Sequence, residues 1–470
     1  MTKISNIISR KFYHPPTAGQ EKLFDVADSF LATYQKRSVL LIKGYAGTGK
    51  TSTIAAILNA LPSLNYRFVL LAPTGRAAKI ISQYTQRMAF TIHKKVYKAV
   101  PDPDKGGYKF KRQKNFNKNT IFIVDEASMI SDEGENGCNG LLQDLIDFVF
   151  EHETNKLIIM GDHAQLPPVG QRRSPALDCS YLERCFDLHV HEVELTEVVR
   201  QLATSGILQN ATTIRDLIAR GKREIRFSIN GYEDVFRITS DNFEEHLRHA
   251  YDKYGLENTI IVCRSNRQAV KYNEYIRKVI HFYEEEIEVG DIIMIARNNY
   301  FYLDKTSRSG FLANGDFAEV RKIVRFEETY GFRFATVFLQ LLDFPDEEPF
   351  EAKIMLDTLH SQMPSLPLED SRKLYWEINK DYQHITSAKE RNKAVLADPF
   401  WNALQIKYAY ALTGHKSQGG QWDCVFIDHG FLTLDKVNQE LQRWLYTAVT
   451  RSIQQLYLVN FLATFFKDEC

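Results

Sequence analysis

Glycines that free backbone amides to turn inward, followed by a lysine and a hydroxyl, make a cradle for phosphate. Gly44-Tyr45-Ala46-Gly47-Thr48-Gly49-Lys50-Thr51 fits that pattern, G-x-x-x-x-G-K-[ST], at every fixed position. In such a loop the lysine, here Lys50, reaches the β- and γ-phosphates, and the hydroxyl, here Thr51, ligates Mg²⁺. A second element complements it. Asp125-Glu126 closes the apolar run Ile121-Phe122-Ile123-Val124, and adjacent carboxylates there repel each other unless a cation comes between them. Asp125 is expected to hold Mg²⁺, directly or through water, and Glu126 to polarise an attacking water. Gln165, in Gly161-Asp162-His163-Ala164-Gln165, is placed to feel a γ-phosphate and pass its presence on. Gln20 carries an amide that donates and accepts together, the pairing that reads adenine's N7/N6 edge. Upstream of a phosphate loop it can select ATP; a surface glutamine on a helix is the alternative reading.

These groups need elements to position them. Val39-Leu40-Leu41-Ile42 reads as a buried strand entering the glycine loop, and residues 52–61 carry Ile54, Ile57 and Leu58 on one side of a helix. Strand, loop, helix is the context this motif requires, and the helix N-terminus adds the positive end of its dipole. Phe68-Val69-Leu70-Leu71 and Lys156-Leu157-Ile158-Ile159-Met160 read as further strands that deliver polar residues to the same carboxyl edge. Thr17 is a natural N-cap for a helix running to about residue 31. Residues 1–13 read as a tail or a short strand.

The chain has 470 residues, enough for about three domains. Its formal net charge is zero, so any nucleic-acid surface has to be a local patch rather than a global basic field. Residues 94–120 are such a patch, with eight lysines and one arginine against two aspartates, interleaved with Tyr97, Tyr108, Phe110 and Phe116. Asp104-Lys105-Gly106-Gly107 reads as a turn and Tyr108-Lys109-Phe110-Lys111 alternates after it, which predicts an inserted β-hairpin. Charge with interleaved aromatics suits nucleic-acid contact; a solvated loop is the alternative. The six cysteines form no C-x-x-C pair, which argues against a zinc knuckle or a disulfide framework. With no signal-like apolar core near the start and no run of 18 apolar residues, the expectation is a soluble, intracellular protein without membrane contact. Short alternating segments between about 288 and 345 predict a small barrel, and residues 346–403 read as mixed helices containing Trp376, Tyr382, Phe400 and Trp401.

In chain order, Gln20, GYAGTGKT (44–51), LAPTGRAAK (71–79), TIHKKVY (91–97), IVDEAS (123–128) and GDHAQLPPVG (161–170) resemble the Q motif and motifs I, Ia, Ib, II and III of superfamily 1 helicases. ELTEVVRQ (194–201), ALTGHKSQG (411–419) and LYTAVTR (445–451) resemble motifs IV, V and VI, and IIVCRSN (260–266) resembles a strand-to-loop motif between them. The set is most similar to the 5′-to-3′ branch, superfamily 1B, and within it to RecD and Dda-like DNA helicases.

The resemblance implies an α/β fold of two RecA-like P-loop NTPase domains, with a β-hairpin inserted in the first and an SH3-like β-barrel plus a helical extension in the second. Boundaries follow as 1–93 and 121–175 for the first domain, 94–120 for the hairpin, 176–287 and 404–470 for the second domain, and 288–403 for barrel and extension. ATP and Mg²⁺ are the implied cofactors. Gln20, Gly44, Ala46, Gly47, Thr48, Gly49, Lys50 and Thr51 would bind the nucleotide, and Thr51 and Asp125 the metal. Lys50, Asp125, Glu126 and Gln165 would act from the first domain, and Arg200 and Arg451 would reach the γ-phosphate from the second. Pro73, Thr74, Thr91 and His93, with Thr413, His415 and Lys416, would line a track for single-stranded DNA. Tyr108 or Phe110 would wedge a duplex open, and the extension would reach back to the hairpin. Gly414 departs from the family, whose members often carry a bulkier residue there. Implied partners are single-stranded DNA, single-strand/duplex junctions and proteins of replication, repair or recombination; the implied state is a monomer. A translocase that opens little duplex, an RNA-directed helicase, and a P-loop kinase or non-hydrolysing binding module are the alternatives. The last is disfavoured by the acidic pair and the two candidate arginine fingers.

Overall fold

The computed structural model describes residues 4–12, 15–101, 108–134, 139–198, 204–303 and 311–467. Strands of the first domain are β1 (Ser38–Gly44), β2 (Arg67–Ala72), β3 (Ala89–Thr91), a hairpin of β4 (Tyr97–Pro101) and β5 (Tyr108–Arg112), β6 (Thr120–Val124), β7 (Lys156–Gly161) and β8 (His189–Leu195). All but the hairpin form one parallel sheet in the order β3-β2-β6-β7-β1-β8. The uninterrupted apolar runs have a simple cause: the central strands are buried on both faces. Leu40, Ile42, Ile121, Ile123, Ile158 and Met160 face one core, with Leu23, Phe30 and Ile54. Val39, Leu41, Phe122, Val124, Leu157 and Ile159 face the other, with Leu145 and Phe148. Residues 4–10, expected as tail or strand, are instead the helix Ile4–Arg10, which inserts Ile8 into the first of these cores.

The second domain contributes β9 (Val235–Ile238) and β10 (Thr259–Cys263). The chain then enters a closed barrel of β11 (Ile292–Ile295), β12 (Phe317–Thr329), β13 (Phe332–Leu341), β14 (Phe350–Met355) and β15 (Leu404–Tyr408). It returns through β16 (Ala411–Thr413), β17 (Trp422–Asp428) and β18 (Ser452–Val459) to complete a parallel sheet ordered β16-β10-β17-β18-β9. The helices Leu368–Asp381 and Ala388–Leu396 lie between β14 and β15 and pack Leu374, Ile378 and Val395 on Phe332 and Phe334 of the barrel.

Three expected boundaries move. The first domain does not end at 175, because β8 is the edge strand beside β1, in register from Ser38↔His189 to Gly44↔Leu195. Only Val193 and Leu195 of β8 are buried, so its sequence lacks an apolar run. The second domain does not resume at 404, and the barrel does not end near 345. β15 closes the barrel by pairing with β11 and β14.

The barrel also rests on the first domain. Lys79 Nζ, on the helix Gly75–Thr85, lies 3.3 Å from Asp316 Oδ1 and 3.2 Å from Asp343 Oδ2, with Asp316 fully buried. A Cβ on Gly75 would stand 2.5 Å from Asp316 Oδ1 and 2.6 Å from Ala313 Cβ, so only glycine admits this approach.

Candidate nucleotide site and nucleic-acid surface

β1 ends in the glycine loop because Gly47 and Gly49 both take φ +79°, a left-handed conformation that side chains disfavour. Gly49 then caps the helix Lys50–Ala60. Lys50 Nζ folds back across the loop and donates to Gly44 O at 2.7 Å and Tyr45 O at 2.8 Å. Gln20 is buried rather than on the surface: its Nε2 donates to Thr48 O at 3.2 Å, and its Oε1 accepts from Thr17 N at 3.0 Å in a capping box.

One cavity gathers Gln20, Ala46, Gly47, Gly49, Lys50, Thr51, Asp125, Glu126 and Gln165 from the first domain, and Gly419, Gly420, Thr450 and Arg451 from the second. Gly44 and Thr48 do not line it. They brace the loop from behind, with Thr48 Oγ1 donating to Tyr45 O at 2.8 Å and a Gly44 Cβ falling 2.9 Å from Thr48 Oγ1. Arg200 lies outside the described residues.

Electrostatics mark the cavity as a cation-and-anion site. Burial, reinforced by the neighbouring Glu126 carboxylate, pushes the Asp125 carboxyl up to about 7, against the pull of the Glu126 amide and Lys50. A divalent cation removes that repulsion, so the residues present suit one. Glu126 sits at φ +52°, a costly conformation for a side-chain-bearing residue and one that concentrates at functional sites. Gln165 is buried, and its Oε1 has no hydrogen-bond partner among the described residues, so an acceptor stands ready at the cavity wall. Arg451, also buried, donates from Nε to Thr447 O at 3.0 Å, from Nη1 to Gly420 O at 2.9 Å and from Nη2 to Thr450 Oγ1 at 3.1 Å.

Sequence reading missed several cavity residues. Phe12 lines it beside Gln20 and meets Phe24 edge-on at 5.6 Å; no motif marks it. Tyr45, a variable position of the glycine loop, bonds His163 Nε2 at 3.1 Å and lies under the Arg215 guanidinium at 4.4 Å. Arg76 was legible as part of TGRAAK without a role. Its guanidinium lies 4.1 Å from the Trp422 ring and 4.5 Å from Phe317, joining the first domain to the second and to the barrel.

The candidate track residues fall on two grooves and the loops between them. Thr74 and Thr91 are helix N-caps, accepting from Ala77 N and Lys94 N at 3.2 Å each, which leaves each hydroxyl a proton to donate. Pro73 precedes Thr74, half-buried. His93 packs on Tyr97 at 5.6 Å, and burial lowers its pKa, as it does that of His415. Thr91 and Lys94 share a groove with Phe90 and Phe311 between first domain and barrel. Thr413 and Lys416 share the other with Lys407, a residue the motifs do not include, whose pKa burial and Lys416 push down to about 8. Lys416 Nζ reaches Asn314 Oδ1 at 3.3 Å, and Lys94 lies 5.0 Å from the Phe311 ring, so barrel residues 311–314 stand between the grooves. Gly419, at φ +73°, brings motif V to Thr74: a Cβ there would be 3.3 Å from Thr74 Oγ1. Gly414 also has a reason. A Cβ on it would stand 2.5 Å from Trp444 Nε1, so the indole occupies the space of a bulkier residue.

In the hairpin, Tyr108 pairs through its backbone with Pro101. The Phe110 ring is exposed and lies 6.3 Å from Tyr300 of the barrel region, which stacks on Phe311 at 4.9 Å. Phe110 also faces Trp401 and Leu374 of the extension across one pocket, so the extension does reach the hairpin.

Two parallel α/β domains closing a phosphate loop, an acidic pair and an opposing arginine into one cleft define a motor-type P-loop NTPase. An AAA domain model matches residues 25–237, and a UvrD-like helicase C-terminal domain model matches residues 408–459. The chain is 26% identical to the ATP-dependent DNA helicase dda of Enterobacteria phage T4, over 94% of this chain and 99% of that protein. It is 28% identical to the ATP-dependent RecD2 DNA helicase of Deinococcus radiodurans, over 42% of this chain and 24% of that protein. Among solved structures it is similar to the Pif1 helicase from Candida albicans, at 15% identity and a TM-score of 0.49, covering 96% of each chain. These matches, to a helicase C-terminal domain model and to DNA helicases, agree with the resemblance of the motif series to superfamily 1B helicases. No helix among the described residues is long and apolar enough to cross a membrane.

Proposed function

We propose that this chain is an ATP-dependent DNA helicase that moves 5′ to 3′ on single-stranded DNA and separates duplex strands. The observation that carries the reading is the shared cleft, where Lys50, Asp125, Glu126 and Gln165 face Arg451 of the other domain. Hydrolysis needs both walls, so it depends on closure, and closure moves one domain along the strand relative to the other.

Each residue has a task in this scheme. Lys50 exchanges its carbonyl partners for the β- and γ-phosphates. Thr51 and Asp125 hold Mg²⁺, which neutralises charge on the phosphates when bound. Glu126 accepts a proton from the attacking water, and the Gln165 amide orients that water or the γ-phosphate. Arg451 meets charge that builds on the transferred phosphoryl group. Pro73, Thr74, Thr91, His93, Thr413, His415 and Lys416 hold the strand by its backbone, contacts that position without reading sequence. The 5′-to-3′ direction rests on the family and its inserted barrel.

The test is ATP-driven strand separation on two partial duplexes, one with a 5′ tail and one with a 3′ tail. Opening of the 5′-tailed substrate alone is expected. Opening of the 3′-tailed one alone would reverse the polarity, and DNA-stimulated hydrolysis with neither opened would favour a translocase. An RNA-tailed duplex in the same assay separates DNA from RNA as the track.

The hairpin gives a second expectation. One base-pair step costs about 1.4 kcal/mol to open, and stacking a base on an aromatic returns about 1–3 kcal/mol. Alanine at both Tyr108 and Phe110 should therefore slow unwinding by about tenfold or more while DNA-stimulated hydrolysis stays within about twofold. Undiminished unwinding by that double variant would remove the hairpin from the mechanism.

A further inference from the structure

Three residues on one face of the helix Gln439–Val449 grip the 162–166 loop of the opposite domain. The Arg443 guanidinium donates to the carbonyls of His163 and Gln165, the latter at 3.1 Å. Thr447 Oγ1 accepts from Leu166 N at 2.9 Å, while Gln418 Nε2 donates to Leu166 O at 2.8 Å. Between them the Tyr446 hydroxyl does something different. It donates to Asp162 Oδ2 at 2.7 Å and accepts the amide proton of Ala46 at 3.0 Å. The same oxygen thus touches both the phosphate loop and the loop that carries Gln165, and both partners belong to the first domain.

The surroundings make this bond more than a filler. Tyr446 and Asp162 are both buried, and the other Asp162 oxygen is already committed to Ala164 N at 2.9 Å. Tyr45, Ala164 and Leu166 pack into the hydrophobic core of the second domain rather than their own. A phenylalanine at 446 would fill the same apolar space. The hydroxyl adds one polar link between the domains, to the half-buried Ala46 and the buried Asp162; with the domains apart, water would satisfy the Ala46 amide and the Asp162 carboxylate instead. The helix that carries Tyr446 leads directly to Arg451, whose Nε is held by Thr447 O of that helix.

We propose that the Tyr446 hydroxyl is a positioning group that ties the conformation of the phosphate loop at Ala46 to the placement of Arg451, so that strand-driven closure is read at the nucleotide. The proposal rests on the helicase reading above. It makes Tyr446 a positioning residue rather than a catalytic one: it does not line the nucleotide cavity, and acts through Ala46, Asp162 and its own helix.

The experiment compares Tyr446→Phe with the unsubstituted chain in ATP hydrolysis with and without saturating oligo-dT, with thermal melting as a control. The quantity read is the ratio of stimulated to basal rate, expected to fall about tenfold. A general loss of fold or of chemistry lowers both rates together and leaves that ratio unchanged. An unchanged ratio, whatever the absolute rates, would overturn the proposal. Asp162→Ala breaks the same link from the first domain and reads the same ratio if Tyr446→Phe melts markedly earlier. Full stimulation in that variant also would overturn it. Absence of stimulation in the unsubstituted chain would instead overturn the helicase reading, and the proposal with it.

Discussion

Arg451→Ala should slow DNA-stimulated ATP turnover by about 10³-fold or more, while nucleotide affinity changes by less than about tenfold. The difference follows from where charge develops. On the proposed reading, the phosphate charge of bound ATP would be met from the first domain by Lys50 and the metal. Charge on the transferred group's oxygens grows in the transition state, and the arginine is the cation delivered from across the cleft. Arg451 is buried at the cavity with all three described donors on second-domain acceptors, Gly420 O, Thr447 O and Thr450 Oγ1. It is therefore stored on the moving wall. Burial lowers its pKa, and the Glu126 and Asp162 carboxylates act in the opposite sense. Arg451→Lys should not restore turnover, because an ammonium lacks the planar fork that spans two oxygens. The check is steady-state hydrolysis with saturating single strand, beside titration with a fluorescent nucleotide. Turnover within tenfold of normal would remove Arg451 from the finger role.

Why the sequence showed the site so fully, and some of the fold so poorly, has a physical explanation. Strands β1, β6 and β7 are buried on both faces, so their apolar runs are unbroken, and each leads into candidate site residues. Lys50, Asp125, Glu126 and Gln165 were legible for that reason and Arg451 through the resemblance of 445–451 to motif VI, and the structure brings all five to one cavity. β8 is an edge strand with two buried side chains, and its histidines and glutamates hide it. β15 pairs with strands far away in sequence, and no local pattern announces that it closes a barrel. Gln20 was read from its chemistry, but its burial against Thr48 O depends on the loop's tertiary position. Tyr45 occupies an open position of the phosphate-loop pattern, and Tyr446 lies in the 445–451 motif without a role that the sequence assigns. Their roles become visible only when Tyr45 is seen between His163 and Arg215, and Tyr446 between Ala46 and Asp162.

Lys50→Ala should lower ATP turnover by about 10²–10³-fold or more and weaken nucleotide binding as well, a pattern distinct from that of Arg451→Ala. Lys50 belongs to the phosphate loop, so on the proposed reading its charge would act on bound ATP and on the transition state alike. The fold should survive. Among the described residues the Lys50 ammonium bonds only the carbonyls of Gly44 and Tyr45, and Lys50 is half-buried, so water can replace it there. The strand-binding residues lie on other loops, so affinity for oligo-dT measured without nucleotide should stay within about twofold, with its salt dependence unchanged. Loss of both nucleotide and strand binding would mean that Lys50 supports the structure and not the phosphates. Retained turnover would overturn the whole assignment of the cleft, because no other cation of the described first-domain lining can take the lysine's place at the phosphates.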